Sequence, residues 1–288
     1  MTRSIVARSL LRSLLACAAA LSLPGRAEPL PQWEFGVGAF AASLPDYRGS
    51  NESHAYVYPF PYLVYRGDLV RVDRQGARAV LLESQRTEID FSLSGTPPVD
   101  SSKNQARQGM PDLDPTIEAG PQLIFKLARD RENEYRMDLR FPVRAVVATN
   151  LRHAQQAGYT FYPHLNLNLR PERFGGKWNV GFQAGPLFAT REYHRYFYGV
   201  DPQFATAQRP AYEAKGGYSG ALALGSLTRR LGTVWMGGFV RYDSLRGAVF
   251  EGSPLVKRDY SLMAGISIAY VFAESDRKVE MKDKDVAP

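Results

Sequence analysis

The chain has 288 residues, with 36 lysines and arginines against 29 aspartates and glutamates, a formal net charge of +7, and one cysteine, Cys17. A lone cysteine excludes a disulfide framework and a cysteine-built metal centre. The positive excess sits at the N-terminus: Arg3, Arg8, Arg12 and Arg26 lie before residue 28 with no acid among them, and the remainder balances at 32 basic against 29 acidic residues, a net +3. That near-neutrality gives no case for a nucleic-acid partner.

Residues 1–27 read as a secretory signal peptide. The arginines form its basic region and "SLLACAAALSL" (13–23) its apolar stretch. Gly25 and Ala27 are the small residues ahead of a cleavage expected after Ala27. The apolar run is too short for a spanning helix. No second run long enough for one follows.

From residue 28 the signal is alternation. Strands are predicted at 33–42, 54–66, 68–74, 77–84 and 86–95, followed by a long loop at 96–115 rich in Pro, Ser and Asp. The next strand, 116–128, sets Ile117, Ala119, Pro121, Leu123, Phe125 and Leu127 against Glu118, Gly120, Gln122 and Lys126. In the strand at 133–149, Tyr135, Met137, Leu139, Phe141, Val143, Ala145 and Val147 take one face. Arg136, Asp138, Arg140, Pro142 and Arg144 take the other. This is the two-residue period of a β-strand. Its length is about twice the five or six residues usual in globular sheets, and matches the roughly 9–11 tilted residues that cross a bilayer.

The pattern recurs at 158–170 and 177–190. A second long loop is expected at 191–215, then strands at 216–230, 233–245 and 257–272. Short, turn-like joints make the whole an up-and-down meander. Tyr135, Tyr159, Trp178, Trp235, Tyr242, Tyr260 and Phe272 fall near strand ends, as the aromatic girdles of membrane barrels do. The expected fold is all-β: a single up-and-down antiparallel transmembrane β-barrel spanning 28–272, of about 12 strands, with 10 as the alternative. Residues 273–288, with four basic and five acidic residues, read as a disordered tail.

On this reading the charged face of 135–147 lines the lumen, because an arginine facing lipid at mid-membrane costs roughly 2–4 kcal/mol. The candidate lumen cluster is Arg136, Asp138, Arg140, Arg144, Glu118, Arg170 and His164. The arginines could favour anions in an open pore. They could equally pair with Glu118, Asp138, Glu88 and Asp90 and fill it. Four histidines, His54, His153, His164 and His194, are available for catalysis. No nucleophile elbow, paired-histidine metal motif or phosphate loop accompanies them. The expectation is a protein without catalytic residues, cofactor or metal, with His164 an interior hydrogen-bonding group and His194 a loop or rim residue.

Two stretches are more specific than this periodicity. "WEFGVGAFAASLPDYRGSNESHAYVYPFPYLVYRGD" (33–68) leads a glycine-spaced strand into a turn with Pro45, Tyr47, Gly49 and Ser50, and ends on Tyr65, Arg66 and Gly67. "REYHRYFYGV" (191–200), with Tyr196, Tyr198 and Gly199, is followed by "YEAKGGYSG" (212–220). Together they resemble the MipA/OmpV family of Gram-negative outer-membrane proteins across essentially the whole exported chain. The resemblance implies a monomeric barrel in outer-membrane lipid. It implies a scaffold role for murein remodelling, with a lytic transglycosylase and a murein synthase as partners. The alternatives it leaves are a narrow, anion-preferring porin-like channel and a surface adhesin. The family signature would end near Phe272, so the charged tail departs from it.

Overall fold

The computed structural model describes residues 30–67, 70–73, 76–130, 135–150, 152–169 and 178–279. The expected signal peptide, Arg170 and residues 280–288 of the expected tail lie outside the described residues. By compactness the chain divides into a barrel unit, Pro31–Arg277, and a small unit whose described residues are Leu30, Lys278 and Val279.

The strands are β1 (Leu30–Pro31), β2 (Trp33–Pro45), β3 (Ser53–Arg66), β4 (Val70–Asp73), β5 (Gly76–Glu83), β6 (Thr87–Thr96), β7 (Thr116–Asp130) and β8 (Tyr135–Thr149). They continue as β9 (Ala154–Phe161), β10 (His164–Leu169), β11 (Trp178–Ala189), β12 (Gly217–Leu231), β13 (Val234–Ser244), β14 (Tyr260–Glu274) and β15 (Lys278–Val279). Among the described residues the α-helix is α1 (Arg191–Tyr198), which follows β11.

From β2 to β14 each strand pairs antiparallel with the next, except β9 with β10, and β14 closes on β2. β9 and β10 are two halves of one stave: both pair with β8 and both with β11. The break falls at Tyr162–Pro163, where proline cannot donate to the ladder. The barrel thus has 12 staves. Closure pairs the backbone between β14 and β2 and leaves no edge there, as a bilayer requires. β14 runs to Glu274, two residues past the boundary expected for the tail.

The faces of β8 show what solvent the barrel is built for. Asp138, Arg140, Pro142, Val146 and Ala148 are buried, while Val143 is 46% exposed. The same sense holds around the wall: Val37, Ile117, Leu165, Phe182, Val240 and Ile266 all point out and are exposed. An apolar belt of this extent among the described residues is a lipid-facing surface, not a water-facing one. Tyr242 stacks on Tyr260 at one margin (6.1 Å), and Phe35 meets Phe272 edge-on at the other (5.4 Å). Trp235 does not belong to a girdle. Its register turns it inward, where it packs on Tyr62 with ring centroids 5.7 Å apart.

At the end bearing the long connections, the segments expected as two loose loops form a folded cap. Tyr47, Val99, Ala106, Leu113, Phe197, Tyr198, Leu245, Phe250 and Leu255, drawn from four connections, share one hydrophobic cluster with Val146, Ala148 and Ala189 of the strand tops. Long connections mark the outer side and short turns the periplasmic side.

Candidate functional site

The lumen has three levels. In the periplasmic half, inward side chains of β2, β3, β6–β8, β13 and β14 are packed or paired. On one side Tyr62, Val64, Ala269 and Val271 form an apolar cluster with Phe60 and Trp235. Beside it Arg66 bonds Glu34 (2.7 Å) and the carbonyl of Pro31 (2.7 Å), and Arg230 also pairs with Glu34. On the other side Lys126 bridges Glu83 (2.8 Å) and approaches Glu88 (3.6 Å). Arg136 and Arg140 both pair with the fully buried Asp138 (2.9 and 3.1 Å), and Gln122 donates to Asp90 (3.1 Å). Isolated charges here would be costly to bury; paired, they fill the space.

Above this lies a cavity of 630 Å³. Arg144 enters it with Nε and Nη2 on the Ser92 hydroxyl (2.9 and 2.7 Å) and Nη1 at 3.9 Å from Glu118, which accepts from Thr160 (3.3 Å). His164 is buried with Nδ1 at the Tyr162 carbonyl (2.8 Å) and its ring stacked on Tyr162 (4.2 Å). Of the sequence-predicted cluster, Arg136, Asp138 and Arg140 form one group and Arg144 and Glu118 a second, and His164, whose ring bonds the Tyr162 carbonyl, lies opposite Arg140 in the β8–β10 register. Arg170 lies outside the described residues.

The roof is the cap. The turn from Pro45 to Ser50 is folded inward rather than exposed: Tyr47 donates to the carbonyl of Leu255 (2.9 Å), and Gly49 N–H donates to Ser261 (2.7 Å). Gly49 has φ +88°, and a Cβ there would sit 2.8 Å from Leu245 Cδ2, so glycine is required. Arg48 reaches down to Asp243 (2.8 Å) and to the carbonyl of Ser219 (2.8 Å), and Arg241 grips the same Asp243. In the second signature, Tyr196 donates to the Asp114 carbonyl (3.0 Å), and Tyr198 donates to the Arg48 carbonyl (3.0 Å) while stacking on Phe250 (3.7 Å). Gly199 closes α1 where a Cβ would lie 2.6 Å from the Arg195 carbonyl. Tyr65, Arg66 and Gly67 belong to the opposite, periplasmic end. Burial raises the Tyr47, Tyr193 and Tyr198 hydroxyls well above the usual range and pushes Tyr196 up to about 12, so all are neutral.

His194 is not a rim residue. It is 0% exposed, with Nδ1 donating to the Lys215 carbonyl (2.6 Å) and Nε2 facing the hydroxyl of Ser219, also 0% exposed. Desolvation lowers its pKa to about 4, so the ring is neutral and Nε2 accepts. A serine–histidine contact is the beginning of a nucleophilic site. Here no carboxylate orients the ring, and neither side chain is open to a substrate. Its work is to pin α1 to β12. Among the described residues no cluster of His, Cys, Asp and Glu could hold a metal ion.

The sequence reading missed Arg48, Arg241, Asp243 and the His194–Ser219 contact. One signal was present: Tyr193, His194, Phe197 and Tyr198 sit at i, i+1, i+4 and i+5, the buried stripe of an amphipathic helix. The Arg48–Asp243 pairing, across 195 positions, carries no local signal.

No curated protein matches this sequence. Among solved structures the chain is similar to an outer-membrane channel from Pseudomonas putida F1 (8% identity, 88% of this chain and 100% of that one, TM-score 0.44). It is also similar to outer membrane phospholipase A from Escherichia coli (8% identity, 86% and 93%, TM-score 0.34). The model of the family described as MltA-interacting protein MipA matches residues 37–272, from the first barrel strand to the last, and the chain belongs to that family.

Proposed function

We propose that this barrel is a non-catalytic outer-membrane anchor that holds murein-remodelling enzymes, a lytic transglycosylase first among them, at the inner surface of the membrane. The observation that carries the reading is the filling of the lumen. Ion pairs and an aromatic cluster occupy its periplasmic half, and four cross-bonded connections roof its outer end. A through-path for ions is thereby disfavoured, and function passes to the surfaces. The family's name supplies the partner class. Contacts would come from periplasmic turns and the chain's ends rather than from Arg136, Arg140 or Arg144.

The test is twofold. Folded barrel in a planar bilayer is expected to be silent at single-channel resolution, and immobilised barrel is expected to retain lytic transglycosylase activity from a periplasmic extract. Steady openings with an anion preference that disappears in an Arg136/Arg140/Arg144 to Ala variant would replace this reading with a narrow channel. Attachment to surfaces that vanishes when 96–115 or 191–215 is trimmed would replace it with an adhesin.

A further inference from the structure

We propose that the barrel wall has a built lateral opening between β3 and β6, and that the cavity behind it binds single-chain amphiphiles with an anionic head, a carboxylate or a phosphate, entering from the outer leaflet. The inference does not depend on the scaffold reading.

The opening is visible in the pairing. β3 meets β4 only at Tyr65 and Arg66, and β5 meets β6 only at Val80–Asp90, Leu82–Ile89 and Glu83–Glu88. Among the described residues, no register pair joins Ser53–Pro61 of β3 or Phe91–Thr96 of β6 to a strand on the side where the two face each other. Open backbone at membrane depth is tolerated where it lines a cavity.

The sequence keeps this edge open. Arg66 N–H donates to Gln32 O (2.8 Å), and the β2–β3 register runs unbroken from Trp33–Tyr65 to Pro45–Ser53. Antiparallel alternation then puts Val64, Tyr62 and Phe60 in the bonded pairs. Pro61 and Pro59 fall in the non-bonded pairs, with their nitrogens turned to the open side. Two missing donors on one edge make it unfit for a partner strand.

The cavity reaches this gap. Every residue from Phe91 to Pro97 lines it, including Phe91 and Leu93, whose side chains face lipid. A strand bonded on both sides would contribute only its inward set. Tyr58, inward by register, is 56% exposed.

The interior is chemically two-ended. Arg48, Arg140, Arg144 and Arg241 line it with Asp46 and Glu118, and Asp138 and Asp243, outside the lining, hold three of these arginines, so the charges balance and an anion would be met by guanidinium donors left over from those pairs. Arg48 Nη1 and the Tyr162 hydroxyl are buried donors with no hydrogen-bond partner, and Arg48, Arg144 and Arg241 all act electrostatically on that hydroxyl. Phe40, Leu44, Phe239 and Met263 supply an apolar wall. The volume falls within the roughly 300–1,000 Å³ of small-molecule sites.

The test is photolabelling of the full folded barrel with dodecanoate carrying a terminal diazirine, mapped by peptide mass spectrometry. Label is expected to concentrate on β3 and residues 91–97. It should fall at least fivefold in Ser94→Trp, which fills the gap, and in Arg144→Gln. Dodecyl phosphate should compete; dodecanol and inorganic phosphate should not. Label spread evenly over the lipid belt overturns the proposal. So does competition by inorganic phosphate equal to that by dodecyl phosphate, which would mean an anion pocket without a lateral route. Equal competition by dodecanol would remove the head recognition. The competition arm uses unaltered protein, so it decides the matter even if a variant fails to fold.

Discussion

Asp243 holds two guanidiniums at once, Arg48 from the inward-folded turn and Arg241 from its own strand, with no solvent at either oxygen. Removing one partner of a buried pair leaves the other uncompensated. Asp243→Ala is therefore expected to cost about 3–5 kcal/mol, read as a lower urea midpoint for unfolding of the refolded barrel. Arg241→Ala should cost much less, because Arg48 keeps its acid. His194 gives a second residue-scale expectation. Its folded pKa, about 4, lies below the ordinary 6.5, so its stabilising effect is complete above pH 6.5 and is lost as pH falls toward 4. Amide exchange across α1, corrected for intrinsic rate, should quicken between pH 7 and pH 4.5, and His194→Gln should flatten that dependence. The turn holding Arg48 was legible as a turn from Pro45 and Gly49. Its direction was not, because an inward turn and an outward one use the same local chemistry, and only the acid on β13 decides.

At the scale of elements, period-two alternation placed the strands well because the outer face meets lipid, while inner faces carry charged, polar, small or aromatic residues. The failures have physical causes. Trp235 follows the ends-of-strands rule by position, yet register turns it into the lumen against Tyr62. A girdle argument that counts position alone cannot see parity. The connection after β11 was read as loop because its aromatic residues suit a rim. Their i, i+1, i+4, i+5 spacing is helical, and α1 uses it to bury Tyr193, His194, Phe197 and Tyr198. This makes α1 the keystone of the cap: Arg107 donates to the Phe197 carbonyl (3.3 Å), and Ser253 donates to that of Tyr198 (2.7 Å). Replacing a buried aromatic by alanine typically costs about 3–5 kcal/mol. Here the loss should stay local, because the strand ladder below α1 is separately bonded. Phe197→Ala is expected to make the 204–210 segment susceptible to chymotrypsin at Phe204 while leaving heat-dependent gel mobility of the barrel unchanged. Loss of that mobility shift would mean that cap and barrel fold as one unit.

For the whole molecule, the arginines left two outcomes open in the sequence, an anion-preferring pore or a filled lumen. Pairing geometry supports the filled lumen of the proposed reading, since Asp138 takes two guanidiniums and Glu34, Glu83 and Glu88 engage the other bases. On that proposal the barrel has two obstructions in series, the outer cap and the periplasmic ion-pair layer, built from different parts of the chain. Series resistances predict a non-additive result. Deleting 191–215 alone should leave the barrel silent in a planar bilayer, because the layer around Asp138 still fills the lumen. Replacing Arg136, Asp138 and Arg140 by alanine should also leave it silent, because the roof on Tyr47, Phe197, Tyr198 and Phe250 stands. Only the combination should give steady openings, and Lys126, Arg144 and Arg241 would then bias them toward anions. Conductance from the cap deletion alone would show that the ion-pair layer is permeable. The cap would then be a gate, and the adaptor reading would lose the observation on which it rests.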